Sequence, residues 1–345
     1  MHEVPLALLT RDRPIDQRMW RSFWDRLHEG GLQRGETVAL LASLSTRMPA
    51  PDTLSGFLRS LDERRPQPVG RLDGTVNIVG TGGGPSTFNI STAAAFVAAA
   101  LGVRVVKTGS RSYTSTCGSY DLLELLGIAL TTSYEQTDAT LERYGIAFPG
   151  RFVYPRELML LAKSILPLDL RTLGRFVNAV GPFLAAMPVS YQLIGVADHA
   201  LLPNLRYVAD RTADRRIWLC SNALGIDELV SSVDNVIHIN DGTAGKQLPA
   251  DAPGSTSIAG LRPAIRKDTV VEHFLEVLSG KGGELAARTV CLNAAALAVA
   301  SGLLDGWADA RAAAEDALTS GAALDLVNRL RAQPVRTAAG GASLR

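Results

Sequence analysis

Three short stretches of this sequence combine residue types and spacings that can do chemistry. Positions 80–92 read GTGGGPSTFNIST, with four glycines in the first five residues. Glycine lets the backbone take positive φ and bring its N–H groups against an anion with no Cβ in the way. The helix opened by Ser91 and Thr92 turns its positive end toward the same place. Phosphate is the guest that suits this combination. The spacing fits neither a Walker loop, which needs Gly-Lys-Ser/Thr, nor the Gly-x-Gly-x-x-Gly dinucleotide fingerprint. The plainer alternative is a tight strand-to-helix turn with a capped helix. One unit later, VVKTGSRSYTSTCGS (105–119) repeats the arrangement. Lys107 at a strand end and Ser112, Ser115 and Ser119 in the loop can hold a second phosphate group, which points to a diphosphate or a sugar phosphate. Taken singly, Lys107 also reads as a solvated strand-end lysine and Ser119 as a helix cap. The third stretch, LGIDEL at 224–229, sets Asp227 beside Glu228 in an apolar frame. Adjacent carboxylates repel unless a cation or hydrogen-bond donors sit between them, and Mg²⁺ favours one or two carboxylates with phosphate and water completing its shell. An ordinary solvated turn is the competing reading.

The elements that must position these residues follow from periodicity. Residues 15–64 carry apolar residues three and four apart in three segments, DQRMWRSFWDRLHEG, RGETVALLASLSTR and DTLSGFLRSLDERR, and predict helices with no strand among them. PQPVGR at 66–71 closes this section, and TVNIVG opens a β-rich one. From there the pattern alternates: strand 75–79, glycine loop, helix 91–101, strand VRVVKTG, loop, helix SYDLLELLG. Such alternation predicts a parallel sheet covered by helices. A second helical stretch at 154–184 interrupts it. Strand candidates return at SYQLIGV, RIWLC and NVIHIN, and the C-terminal region is helical. The fold class expected is α/β: a small N-terminal helical domain, 1–70, completed by helices in about 154–184, beside a larger α/β domain, 71–153 and 185–332, whose mainly parallel central sheet is flanked by helices. Residues 333–345, PVRTAAGGASLR with the preceding Gln, are small and polar and predict a flexible tail.

Composition sets the limits. The chain has 345 residues, 46% of them hydrophobic, enough for a sizeable core. Lys plus Arg number 35 against 34 Asp plus Glu, so no global field draws it to nucleic acid or an anionic membrane. The apolar run AAAFVAAALGV is far short of the roughly 20 residues that span a bilayer. The start lacks a basic leader followed by a long apolar segment, which argues against export. Cys117, Cys220 and Cys291 are odd in number, far apart and in no CxxC spacing, against both a disulfide framework and a zinc site; a reducing cytoplasm is the expected location. The five histidines, His2, His28, His199, His238 and His273, show no ligand spacing, and none lies near the glycine loop in the chain.

In order and spacing, the three stretches resemble the anthranilate phosphoribosyltransferases, whose signature runs GTGGD into TFNIST, then KHGNR-S with CGSADVLEALG, then GLDE. GRFVNAVGPF and GELAARTVCLNAAALAVASG extend the likeness, which covers roughly residues 66–332. It implies a phosphoribosyltransferase of nucleoside phosphorylase-like architecture, with 5-phosphoribosyl-1-diphosphate (PRPP) and Mg²⁺ bound between the helical and α/β parts, and an aromatic amine such as anthranilate displacing diphosphate at C1 of the ribose. By the same resemblance Gly80, Thr81, Gly82 and Gly83 approach the diphosphate, and Asn89, Ser91 and Thr92 hold phosphate or, through Ser91, metal. Lys107 and Ser119 bind the PRPP phosphates, Thr108, Gly109, Ser110 and Ser115 complete the substrate contacts, and Asp227 and Glu228 bind Mg²⁺. The family's acceptor-binding arginine corresponds to Arg171 or Arg175, depending on the placement of a gap; Lys107 and Arg171 are the candidates for a catalytic role. Departure of diphosphate leaves an oxocarbenium-like carbon, so alignment and charge neutralisation suffice and no nucleophile is required. The chain departs from the signature at Gly84, where the family has Asp in a loop one residue longer, and at Thr108 and Ser110, where it has His and Asn facing the acceptor. The last two predict a roomier acceptor pocket. A homodimer through the helical part is expected. A nucleoside phosphorylase-like enzyme and a silent, nucleic acid-binding relative are the competing readings.

Overall fold

The computed structural model describes residues 1–65, 68, 70–111, 117–251, 257–264 and 266–332. Ser112, Ser115 and the 333–345 tail lie outside them. The chain opens with four helices, α1 (Glu3–Thr10), α2 (Gln17–His28), α3 (Arg34–Thr46) and α4 (Pro51–Asp62). α2 shows why: Trp20, Phe23, Trp24 and Leu27 fall at i, i+3, i+4 and i+7 and are all buried, and Asp16 caps the first turn by accepting from the Met19 N–H at 2.8 Å. Trp20 stacks on Trp24 with ring centroids 5.8 Å apart, and Phe57 of α4 meets both edge-on. α1 was not expected. Its cap is the imidazole of His2, which accepts from the Val4 N–H, so the usual Ser/Thr/Asp signal is missing.

The central region then alternates: β1 (Leu72–Gly80), α5 (Ile90–Ala100), β2 (Arg104–Val106), α6 (Ser119–Leu126), α7 (Tyr134–Tyr144) and β3 (Ile146–Ala147). Three helices follow, α8 (Arg156–Ser164), α9 (Leu170–Leu173) and α10 (Arg175–Leu184), and Leu161, Ile165, Phe176, Val180 and Leu184 from this stretch join the apolar cluster of α1–α4. The chain returns to the sheet through β4 (Val189–Gly195), α11 (Leu202–Ala209), β5 (Arg216–Asn222), β6 (Asn235–Ile239) and β7 (Lys246–Leu248). It ends in α12 (Val270–Leu278), α13 (Glu284–Ala300), α14 (Trp307–Thr319) and α15 (Ala322–Arg331).

The sheet order is β3-β2-β1-β4-β5-β6-β7. β1 to β5 pair in parallel, and β6 and β7 add an antiparallel edge. The middle strands bury their central and C-terminal stretches, Thr75–Ile78 of β1 and Gln192–Gly195 of β4, between the helix layers. α5 and α13, both rich in alanine, pack together against the sheet, because small side chains let two helices approach. Strand order runs outward from β1 in one direction and from β4 in the other. The carboxyl ends of β1 and β4, where Gly80 is paired with Gly195, are therefore the switch point at which open α/β sheets bind ligands.

Candidate active site

The glycine loop leaves β1 at this switch point. Gly82 and Gly83 take φ of +66° and +87°, values that an L side chain adopts only with strain. A Cβ at Gly80 would lie 2.0 Å from Asp227 Oδ2, and one at Gly195 would lie 1.6 Å from the Asp227 carbonyl oxygen. Both strand ends are thus glycine because the acidic stretch, folding back from β5, lies directly on them. Asn222 at the end of β5 shapes that return: its Nδ2 donates to the Ile226 and Glu228 carbonyls, and its Oδ1 accepts from the Leu224 N–H. The polar pair Ser221–Asn222 closing the apolar run of β5 was the available signal for it.

Asp227 accepts from the Gly82 N–H at 2.7 Å. Lys107, one residue past β2, is 3% exposed, and its ammonium donates to the Ile78 carbonyl at 3.1 Å; the solvated-lysine reading is excluded. Burial pulls the Lys107 amine down to about 8 against the opposing pull of Glu228 and Asp227. Burial also raises both carboxyls. Glu228 stands well above the ordinary range because Asp227 adds repulsion to desolvation, and the Ser91 N–H, the Thr87 hydroxyl and Lys107 only partly offset this. The Gly82 N–H works in the same compensating sense on Asp227. One ammonium against two carboxylates leaves the fully ionised cluster with net negative charge, the situation a hard cation relieves. Glu228 Oε2 and Thr92 Oγ1 are buried without a hydrogen-bond partner among the described residues. Among those residues no group of three His, Cys, Asp or Glu gathers as a metal cage. An oxygen-only pair with one orphaned carboxylate oxygen fits Mg²⁺ completed by phosphate and water.

The remaining candidates divide. Asn89 is the residue before α5, and its amide donates to the Cys117 carbonyl at 3.3 Å, so the two hydroxyl-rich loops adjoin. Thr81 is buried and its hydroxyl accepts from the Ala197 N–H, which makes it a loop tie. Ser119 begins α6 behind Gly118, which holds the cap position, so Ser119 is not the cap. A Cβ on Gly109 would strike Ser119 Oγ at 2.1 Å. Thr108 is fully buried and hydrogen-bonded to Asn77, while Ser110 is exposed. Arg171 stands exposed on α9, and Arg175 pairs with Asp198 at 2.7 Å, just beyond β4. His273 of α12 meets Phe88 of the TFNIST stretch edge-on at 5.5 Å, a proximity invisible in the chain. Cys220 and Cys291 are buried, with thiols pushed up to about 12, and so are not nucleophiles. A polar cavity of about 470 Å³ opens at the opposite end of the sheet, beside Arg71, Arg215 and Arg216. Each of these arginines already pairs with an aspartate, and the cavity holds none of the groups described above.

Residues 72–324 match the family described as "Glycosyl transferase family, a/b domain", the class that this sheet and its glycine loop define. An anthranilate phosphoribosyltransferase of Cenarchaeum symbiosum is 34% identical over 309 residues, covering 88% of this chain and 89% of the relative. The solved anthranilate phosphoribosyltransferase of Thermus thermophilus is 27% identical with a TM-score of 0.78, over 96% of this chain and 99% of that one. The Saccharomyces cerevisiae enzyme, solved in complex with PRPP and Mg, shares the fold with a TM-score of 0.77 at 19% identity, over 95% and 96% of the two chains. The chain belongs to the anthranilate phosphoribosyltransferase family.

Proposed function

We propose that this protein transfers the 5-phosphoribosyl group from PRPP to anthranilate or a close analogue and releases diphosphate. The observation that carries the reading is the convergence, at one switch point, of the positive-φ glycine loop, the buried Lys107 ammonium and the Asp227–Glu228 pair. In this reading the loop N–H groups and the amino end of α5 receive the departing diphosphate, and the Lys107 ammonium neutralises charge as the C1–O bond lengthens. Asp227 and Glu228, with Ser91 beside them, would hold Mg²⁺, which when bound supplies further neutralisation of the diphosphate. Of the two arginines aligned with the family's acceptor-binding residue, Arg175 stands beside the loop that follows β4 and is the better placed to meet a carboxylate. Exposed Leu6 and Leu9 on α1 support a homodimer through the helical layer. Among the described residues no helix is long and apolar enough to cross a membrane, and we place the reaction in the cytoplasm.

The test is diphosphate release from PRPP across a panel of aromatic amines, with and without Mg²⁺. Release is expected only with anthranilate-type amines and Mg²⁺. Lys107→Met should weaken PRPP binding by roughly 30- to 150-fold, the loss of a charge-assisted hydrogen bond worth about 2–3 kcal/mol. Absence of PRPP-dependent release across the panel would refute the reading.

A further inference from the structure

The turn Lys107–Ser110 at the end of β2 is tied from three directions by groups distant in sequence. From β1, Asn77, 1% exposed, donates from Nδ2 to Thr108 Oγ1 at 2.8 Å and accepts at Oδ1 from the Thr108 N–H at 3.0 Å. From the connection that enters α8, the Tyr154 hydroxyl donates to the Gly109 carbonyl at 3.1 Å. Its ring packs against the apolar cluster built by α1–α4, α8 and α10. From α6, the Tyr120 N–H donates to the Ser110 carbonyl at 3.2 Å. A turn that merely joined a strand to a loop would not require partners from another strand and from the helical layer. Here each of the three residues after Lys107 has one.

We infer that Asn77 and Tyr154 are positioning residues for phosphoribosyl transfer: they hold this turn so that Lys107 and the adjoining backbone N–H groups face the donor's phosphates, and Tyr154 relays the placement of the helical layer to that turn. The inference rests on the transferase reading above. Neither side chain needs to touch the donor. Their effect is geometric, and in a site that works by alignment a displacement of about 1 Å costs on the order of a hundredfold.

The experiment measures the PRPP dissociation constant by calorimetry, donor and acceptor KM by turnover, and thermal stability, in the full chain. Tyr154→Phe removes only a hydroxyl. It is expected to weaken PRPP binding about three- to tenfold while Tm stays within a few degrees of wild type. Asn77→Leu keeps the volume and loses both hydrogen bonds; a weakening of tenfold or more is expected. Wild-type PRPP affinity in both Tyr154→Phe and Asn77→Leu would overturn the inference. So would donor and acceptor constants that worsen together in step with Tm, since that is the pattern of a purely structural pair. Wild-type protein that binds no PRPP at all would refute the transferase reading instead, and this inference with it.

Discussion

Lys107 is buried and Asp227 and Glu228 are half-buried beside it, and the shifts of the carboxyls and of the amine are opposed in sign. A carboxyl whose folded pKa is raised binds more protons in the native than in the unfolded state, so stability falls as pH climbs from its ordinary value, 4.5 for Glu228, toward the raised one. Lys107, lowered to about 8 from 10.5, binds fewer protons when folded; its penalty is complete below about pH 8 and is relieved between there and 10.5. Without divalent cation, Tm should therefore decline as pH rises above 4.5. Added Mg²⁺ should restore it, by more near pH 8 than near pH 5. Glu228→Gln should flatten the decline and abolish the Mg²⁺ response, which thermal unfolding at several pH values will report. An Mg²⁺ stabilisation that persists in Glu228→Gln would place the cation elsewhere.

Among the elements, the glycine loop carries the clearest departure from the family signature. Gly84 stands where the signature it resembles has Asp, and a Cβ there would lie 2.1 Å from the Gly225 carbonyl oxygen and 3.0 Å from Ala197 Cβ. Reintroducing the carboxylate by Gly84→Asp should not tighten cation binding. It should cost about 1–3 kcal/mol or more as the loop is forced off the 224–229 segment, seen as a lower denaturation midpoint with unchanged or weaker Mg²⁺ affinity. Gly83 differs: a Cβ there meets nothing within 4 Å, so substitution costs through its positive φ alone, about 1–3 kcal/mol. Much of this level was legible in the sequence. Strand–glycine–helix alternation and the acidic pair name the loops because these are local patterns. The burial of Thr108 was not legible, because its partner Asn77 sits 31 residues away on another strand. Nor was the reach of His273 to Phe88, which depends on how α12 closes over α5. The antiparallel edge gave its strand β6 to pattern reading, but not its direction.

At the scale of the whole molecule, the N-terminal helices are tied to the sheet's α11, where Asn204 donates to the Pro49 carbonyl and Tyr207 to Asp52. The helical body buries its aromatic cluster inward and still leaves Leu6 at 45% and Leu9 at 54% exposure on α1. If the homodimer proposed above forms through this face, sedimentation should give a dimer for the wild type and a folded monomer for Leu6→Glu with Leu9→Glu; a monomeric wild type would refute the dimer, and an unchanged dimer mass in the variant would refute this face. The two glycines that end β1 and β4 have a further consequence. Because the backbone of Asp227 rests on Gly195 and its carboxyl group on Gly80, the acidic loop is not a portable module. Transplanted onto another parallel sheet, it will seat only where both neighbouring strands stop at glycine, so scaffolds for a grafted version of this site can be screened on two positions before any loop is built.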